Sequence, residues 1–287
     1  MAKCVHFPHC GGCSLLNKTY GDQLIAKQQS LQSLFSGMNL EIPSIIQSPE
    51  PLYYRHKVQL PFGYSKKKVG ITLGCYGSSS HEVINQIECL IQDKTLSKIA
   101  WTIRNWAIKC RLTSYNEKTG TGFLRHVLLR KGAGTGEVLI GLVTNGERPQ
   151  ASRQMAQKLL EMIGQKKDEF KPVVGIVQNV NMRQTNVVLG EKEVVWWGRP
   201  FLKEKLGNIK FKIGLSTFFQ VNPYQLPNLY NKVLENIDNG AKVLDLYSGI
   251  GSIAMWMAQK AGSGLGIEEN VSSVKAEDII NEEVIIL

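Results

Sequence analysis

The chain has 287 residues, 43% of them hydrophobic and 20% charged, enough to bury more than one core. No run of about 18 or more apolar residues occurs, and Met1 to His6 lacks the apolar stretch of a secretory signal. No membrane span is therefore expected, and the cytoplasm is the expected location. The net charge of +10 favours polyanionic partners through Coulomb attraction and counterion release, although solubility alone would account for it. Glu268 to Leu287 is acidic, so the basic character lies upstream.

Cys4, Cys10 and Cys13 open the chain in C-x5-C-G-G-C spacing, three of its six cysteines. A disulfide framework does not suit a large chain without a secretion signal, which leaves metal ligation as the better starting point. Thiolates on an irregular segment suit zinc or an iron–sulfur cluster, and Gly11 and Gly12 let the backbone turn tightly between Cys10 and Cys13. A further ligand would come from Cys75, Cys89 or Cys110, or, for zinc, from His6 or His9. Spacing does not choose the metal, and three unrelated thiols are the plain alternative.

Asp22 is expected to cap a helix to Phe35, with Leu24, Leu31, Leu34 and Phe35 on one face. Strands are predicted at Lys57–Phe62, Val69–Tyr76 and Glu82–Ile87, then a helix over about 95–108 with Leu96, Ile99, Ile103 and Trp106 at helical spacing. Strands at 123–130 and 137–143 flank a glycine-rich turn. A helix at Gln150–Ile163 precedes strands at Val173–Val180, Asn186–Leu189 and Val194–Trp197. This part reads as mixed α+β. Aromatics interleave with cations at Tyr53-Tyr54-Arg55-His56-Lys57, and Lys66–Lys68 and Leu124-Arg125-His126 add further cations. Such groups suit single-stranded RNA, and solvated strand edges explain them as well.

The pattern changes near residue 215. In Ser216–Pro223 an amide and two phenylalanines could line a base or cofactor pocket, or could simply cap a helix. A helix at Pro223–Ile237, a strand at Lys242–Leu246, a helix at Gly249–Ala261 and a strand at Gly264–Ile267 open a doubly wound α/β sheet. Val243-Leu244-Asp245-Leu246-Tyr247-Ser248-Gly249-Ile250-Gly251 forms its strand-to-helix turn. Glycines there let a ligand approach the backbone, and Glu268, ending the next strand, is placed to accept hydrogen bonds from a ribose. The Gly249-x-Gly251-x-x-Ala254 fingerprint is weak alone, and an ordinary βα turn satisfies it; Asp245 and the D-L-Y-x-G-x-G string tilt the reading toward class I S-adenosylmethionine methyltransferases. About twenty residues follow the second strand, so the sheet is expected to be incomplete. The expected division is a cysteine-cluster segment with part of the central domain at 1–90, an RNA-facing α+β domain at 91–214, and a partial Rossmann-like methyl-donor domain at 215–287.

Taken in order, C-x5-C-G-G-C, Tyr54-Arg55-x-Lys57, Ile87-Glu88-Cys89, Phe219-Gln220-Val221-Asn222 and D-L-Y-x-G-x-G resemble the RNA uracil-5-methyltransferase family, in its iron–sulfur branch acting on 23S ribosomal RNA. The resemblance runs from Cys4 to about Glu268. It implies a [4Fe–4S] cluster on Cys4, Cys10, Cys13 and Cys89, and S-adenosyl-L-methionine held by Gln220, Tyr247, Ser252 and Glu268. The family usually carries Cys where Ser248 stands and often Asn where Ser252 stands. Its chemistry adds a cysteine thiolate to C6 of a flipped-out uracil, after which C5 takes the methyl group and a base removes the C5 proton. The implied RNA is 23S rRNA, with tRNA as the rival, and no obligate protein partner is implied. A non-catalytic RNA-binding protein with a structural cluster is the alternative from another class. No cysteine follows Cys110 and no D-P-P-R segment occurs, so no catalytic residue can be assigned. The run Val271–Leu287 drifts from the family pattern. A truncated chain, inactive alone, is the expectation, as is the absence of the OB-like domain common in the ribosomal branch.

Overall fold

In the computed structural model, residues 3–65, 70–147, 151–164, 173–270 and 284–286 are described. The strands β1 (Lys57–Ser65), β2 (Gly70–Tyr76), β3 (Val83–Asn85), β4 (Leu124–Lys131), β5 (Val138–Thr144), β6 (Val173–Val180) and β7 (Lys192–Gly198) form one seven-stranded sheet in the order β3-β2-β1-β4-β5-β6-β7. The sheet therefore runs without a break across residue 90. Its neighbours are antiparallel except β5 and β6, which are parallel. Parallel neighbours need a crossover, and the helix α3 (Ser152–Ile163) lies in that connection.

The central strands are apolar on both sides because both sides are covered. Val127, Leu129, Ile140, Leu142 and Ile176 join the main core under α3 and a second helix, α2 (Lys94–Lys109). Their neighbours Leu128, Leu139 and Val177 point the other way, into a second core with Leu202, Phe211 and Leu215. The period of two between faces explains why these strands read as nearly continuous apolar runs. At the start of α2 the Asp93 carboxylate accepts the Thr95 and Leu96 N–H groups, and the fully buried Trp106 donates its indole N–H to Met155 O at 3.0 Å.

Three expectations need correction. The helix α1 (Tyr20–Leu34) is capped by Thr19, with Asp22 as the reciprocal partner of a capping box, and it buries no residue. Leu34 is 74% exposed. Polar contacts tie this helix down: Gln28 bonds Pro43 O and the Ile45 N–H, and the Tyr20 hydroxyl accepts the Ser48 N–H. Second, Asn186–Leu189 is not a strand. The Asn181 amide donates to the carbonyls of Val187 and Val188, doing what a neighbouring strand would do. Third, a hairpin absent from the sequence reading, β8 (Leu202–Leu206) with β9 (Ile209–Ile213), covers the second core through a turn at Gly207, φ +58°.

Beyond the helix α4 (Leu226–Glu235) come β10 (Lys242–Leu246), the short helix α5 (Ser252–Met257) and β11 (Ser263–Ile267). β10 and β11 are parallel, and β12 (Val284–Ile286) adds a third parallel strand inside the run expected to drift from pattern. Residues 271–283 and Leu287 of that run lie outside the described residues, as do Lys66–Lys68. β10 alternates: Val243 and Asp245 are half-buried on the α5 side, whereas Leu244 and Leu246 are exposed. The whole is a mixed α/β and α+β fold. Among the described residues no helix is long and apolar enough to cross a membrane.

Candidate functional site

Two constellations emerge, one at the glycine turn and one around the cysteines. At the end of β10, Tyr247, Gly249 and Gly251 all take positive φ, at +60°, +61° and +68°. Glycine bears this freely; tyrosine does so at a cost of order 1 kcal/mol, a strain found most often where a ligand is held. The turn delays α5 to Ser252, three residues later than its apolar pattern suggests. Glu268 closes the turn from β11: one carboxylate oxygen accepts the Gly249 N–H at 2.8 Å and the other the Asn270 N–H at 2.8 Å. A carboxylate has about four lone-pair sites, so Glu268 retains acceptor capacity for a hydroxyl.

The segment ahead of α4 lies against this turn. The Phe218 carbonyl stands 4.0 Å from where a Cβ on Gly249 would sit, with nothing nearer. Phe219 is buried beside Phe211, Phe218 is exposed, and Asn222 accepts the Tyr224 and Gln225 N–H groups. Capping thus explains Asn222 and packing explains Phe219, but not Gln220. The Gln220 amide makes no hydrogen bond among the described residues and borders a cavity of about 380 Å³ shared with Asn222, Gln225 and Lys232. Tyr247 is 86% exposed. Ser252 differs: it is buried, and its hydroxyl shares a 2.6 Å hydrogen bond with Tyr230. Behind the turn, burial pushes the Asp245 carboxyl up despite the Ala254 N–H, and among the described residues one of its oxygens and the Ser248 hydroxyl have no partner.

The 215–221 segment is held to the main sheet by a buried cation. Arg130 on β4 donates to the carbonyls of Leu215 and Thr217, and the His56 N–H donates to Val221 O at 2.9 Å. Burial followed by the nearby Arg130 charge brings the Lys57 amine down to about 8. Arg125, also read from sequence as an exposed cation, is buried, and His126 beside it is half-buried. Arg125 donates to Asn181 O and Arg183 O, both at 2.7 Å, and stacks 4.4 Å from the Tyr115 ring centroid. Burial, then Arg125, brings His126 down to about 4. Neither is a solvated strand edge.

The cysteines converge. Cys4, Cys10, Cys13 and Cys89 line one cavity of about 100 Å³ with Arg55, and Cys75 joins them. Cys110, capping the end of α2, packs on the main core instead. The Cys75 thiol, hydrogen-bonded to Cys10, holds Cys10 down to about 5 against burial, aided by the Gly12 N–H and the Gln86 amide. The same bond and burial push Cys75 well up. Burial pushes Cys13 up to about 11 and raises Cys89, the latter against N–H donation from Ile91 and Gln92. Among the described residues no three His, Cys, Asp or Glu side chains close on one point as a metal site. The chemistry of the donor set nonetheless fits a thiolate-ligated centre: five cysteines on one cavity, Cys10 and Cys89 buried, N–H donors to both, and a guanidinium on the wall.

Comparison with known proteins puts a family to this geometry. No family model matches the chain. A Leptospira interrogans protein (serovar copenhageni) named as an uncharacterized RNA methyltransferase is 47% identical over 279 residues, 95% of this chain and 71% of the relative. A Clostridium tetani protein of the same name is 37% identical over 280 residues, 95% of this chain but 59% of the relative. Among solved structures, the Pyrococcus abyssi tRNA (uracil-54, C5)-methyltransferase in complex with S-adenosyl-L-homocysteine superposes with TM-score 0.72 at 26% identity, over 94% of this chain and 62% of that one. The glycine turn, the segment lying against it and this identity agree, and the chain belongs to the RNA methyltransferase family.

Proposed function

We propose that this chain serves S-adenosyl-L-methionine-dependent methylation of uracil C5 in RNA, with 23S rRNA as the substrate. The observation that carries the reading is the positive-φ Gly249 turn closed by Glu268, with the Phe218 carbonyl facing Gly249. S-adenosyl-L-methionine supplies an electrophilic methyl group when bound. Glu268 would receive the ribose hydroxyls, Tyr247 would present its exposed ring to the adenosine, and Gln220 has a free amide for the donor's polar end. Ser252 would act through the turn, since its hydroxyl is engaged by Tyr230.

The cysteine cavity supports a [4Fe–4S] cluster on Cys4, Cys10, Cys13 and Cys89, and with it the 23S rRNA branch. The likeness to the Pyrococcus abyssi tRNA (uracil-54, C5)-methyltransferase favours tRNA as a second reading. Uracil C5 is a poor nucleophile until a thiolate adds at C6. All six thiols lie in the cysteine cavity or at the end of α2, none at the glycine turn. The 287-residue chain by itself is therefore expected to bind the cofactor product and RNA but to transfer no methyl group.

Titration with S-adenosyl-L-homocysteine tests the pocket, and absence of binding would end the proposal. Incubation with labelled methyl donor and unmodified RNA tests the second part, and label incorporated by this chain would refute its inactivity. Competition between 23S rRNA fragments and tRNA for binding, followed across a salt series, decides the substrate.

A further inference from the structure

The cavity holds one cysteine more than a four-ligand cluster uses. Cys75 lies near the end of β2, and that end is stitched to the Cys10 turn. Cys10 and Gly77 form an antiparallel bridge, the Gly11 N–H donates to Tyr76 O at 2.9 Å, and the Ser78 N–H donates to His9 O at 3.0 Å. Cys75, two residues before Gly77, shares a face with the position opposite Cys10. Both sulfurs lie against Gly12: a Cβ there would stand 3.4 Å from Cys10 Sγ and 3.7 Å from Cys75 Sγ. The Gln86 amide donates to Cys10 Sγ at 3.4 Å, and Gln92 steadies it by donating to its oxygen at 3.4 Å. A cysteine that merely fills apolar space needs neither a sulfur partner nor an oriented amide. Cys110, packed on the main core, is such a residue.

We propose that Cys75 is the fifth thiol of this site: its sulfur stands beside that of Cys10 while the other four cysteines ligate, and it takes a ligand position itself when one of them is lost. The inference rests on the iron–sulfur reading above. The exchange is redox-neutral: Cys75 releases its thiol proton to solvent as its sulfur bonds iron, in place of the sulfur that has gone.

The test is anaerobic reconstitution of the full chain with ferrous iron and sulfide, read by iron and sulfide content, visible absorption and electron paramagnetic resonance of the reduced protein. The variants are Cys75→Ser, Cys75→Ala, Cys89→Ser and Cys75→Ser/Cys89→Ser, with folding checked by far-ultraviolet circular dichroism. Cys89→Ser is expected to keep most of its iron and sulfide with an altered resonance signal, and the double variant to lose both. Cys75→Ala should keep full iron with a shifted signal, because the polar neighbour of the Cys10 sulfur has gone, and Cys75→Ser should keep full iron with a smaller shift. If Cys89→Ser is as empty as the double variant, or if Cys75→Ala is indistinguishable from the parent, the proposal is overturned. Should Cys89→Ser fail to fold, Cys4→Ser carries the same comparison. A parent chain that takes up no sulfide, or zinc alone, removes the iron–sulfur reading and this inference with it, an outcome distinct from failure of the variants.

Discussion

The two sheets of this molecule are held in different ways. In the seven-stranded sheet the central residues Leu128, Leu129, Leu139 and Ile140 are fully buried, with helices on one face and a hairpin on the other. In the parallel sheet β10 is covered, among the described residues, on the α5 side alone, and it ends in a turn at positive φ fixed by the hydrogen bond from Gly249 to Glu268. Apolar area makes the first rigid and tolerant of its surface. The second owes its shape to a few polar contacts and leaves backbone open for a ligand. Stability and binding should therefore respond to different substitutions.

The largest effect is expected in the first sheet. Trp106→Ala should cost roughly 3–5 kcal/mol through the emptied volume and the orphaned Met155 carbonyl. Denaturant unfolding measures it, and a loss below about 1 kcal/mol would mean the main core is not what holds the fold.

A pH series sharpens the same contrast. Burial holds the folded His126 near 4, below its ordinary 6.5, so the unfolded chain takes up a proton first as pH falls. This contribution is complete above about 6.5 and is lost between about 6.5 and about 4, amounting to about 3 kcal/mol at most. His126→Leu should flatten that part of the stability profile, with little cost at about pH 7 because Nδ1 has no partner to lose. An unchanged profile would place the titration elsewhere.

The smallest change in stability is expected at the turn, where binding should suffer instead. Glu268→Gln weakens the closing hydrogen bond and removes the charge. It should lower affinity for S-adenosyl-L-homocysteine by roughly tenfold, about 1.4 kcal/mol, with little change in unfolding midpoint. Equal losses in both measurements would show that the two sheets are energetically one.

The sequence made these regions legible to different degrees. β6 and β10 occupy the predicted spans because a short stretch rich in Val, Ile and Leu in each is bounded by turn residues. The β8–β9 hairpin escapes that reading although Leu-Lys-Glu-Lys-Leu, Gly-Asn and Ile-Lys-Phe-Lys-Ile carry the alternation and the turn that specify one. The face expected on α1 fails for a different reason: helical periodicity says which side chains align, not whether anything lies opposite them. At the site, Asp245, the glycines and Glu268 could be read because a βα turn is local in sequence. Cys75 could not be chosen, because its neighbourhood with Cys10 depends on which strand end the N-terminal turn pairs with. Nor could the burial of Arg125 and Arg130 be foreseen, since each cation sits on a strand whose two covers come from distant segments.

Leu244 and Leu246 lie on the same uncovered side of one strand, 56% and 58% exposed. Each would gain up to roughly 1.5–3 kcal/mol by leaving water, so the pair makes an adhesive stripe beside the glycine-turn end of the sheet. Concentration, more than heat, should then govern how long a solution of this chain stays monodisperse. Placing a lysine at 244 ought to improve solubility without disturbing the turn above it.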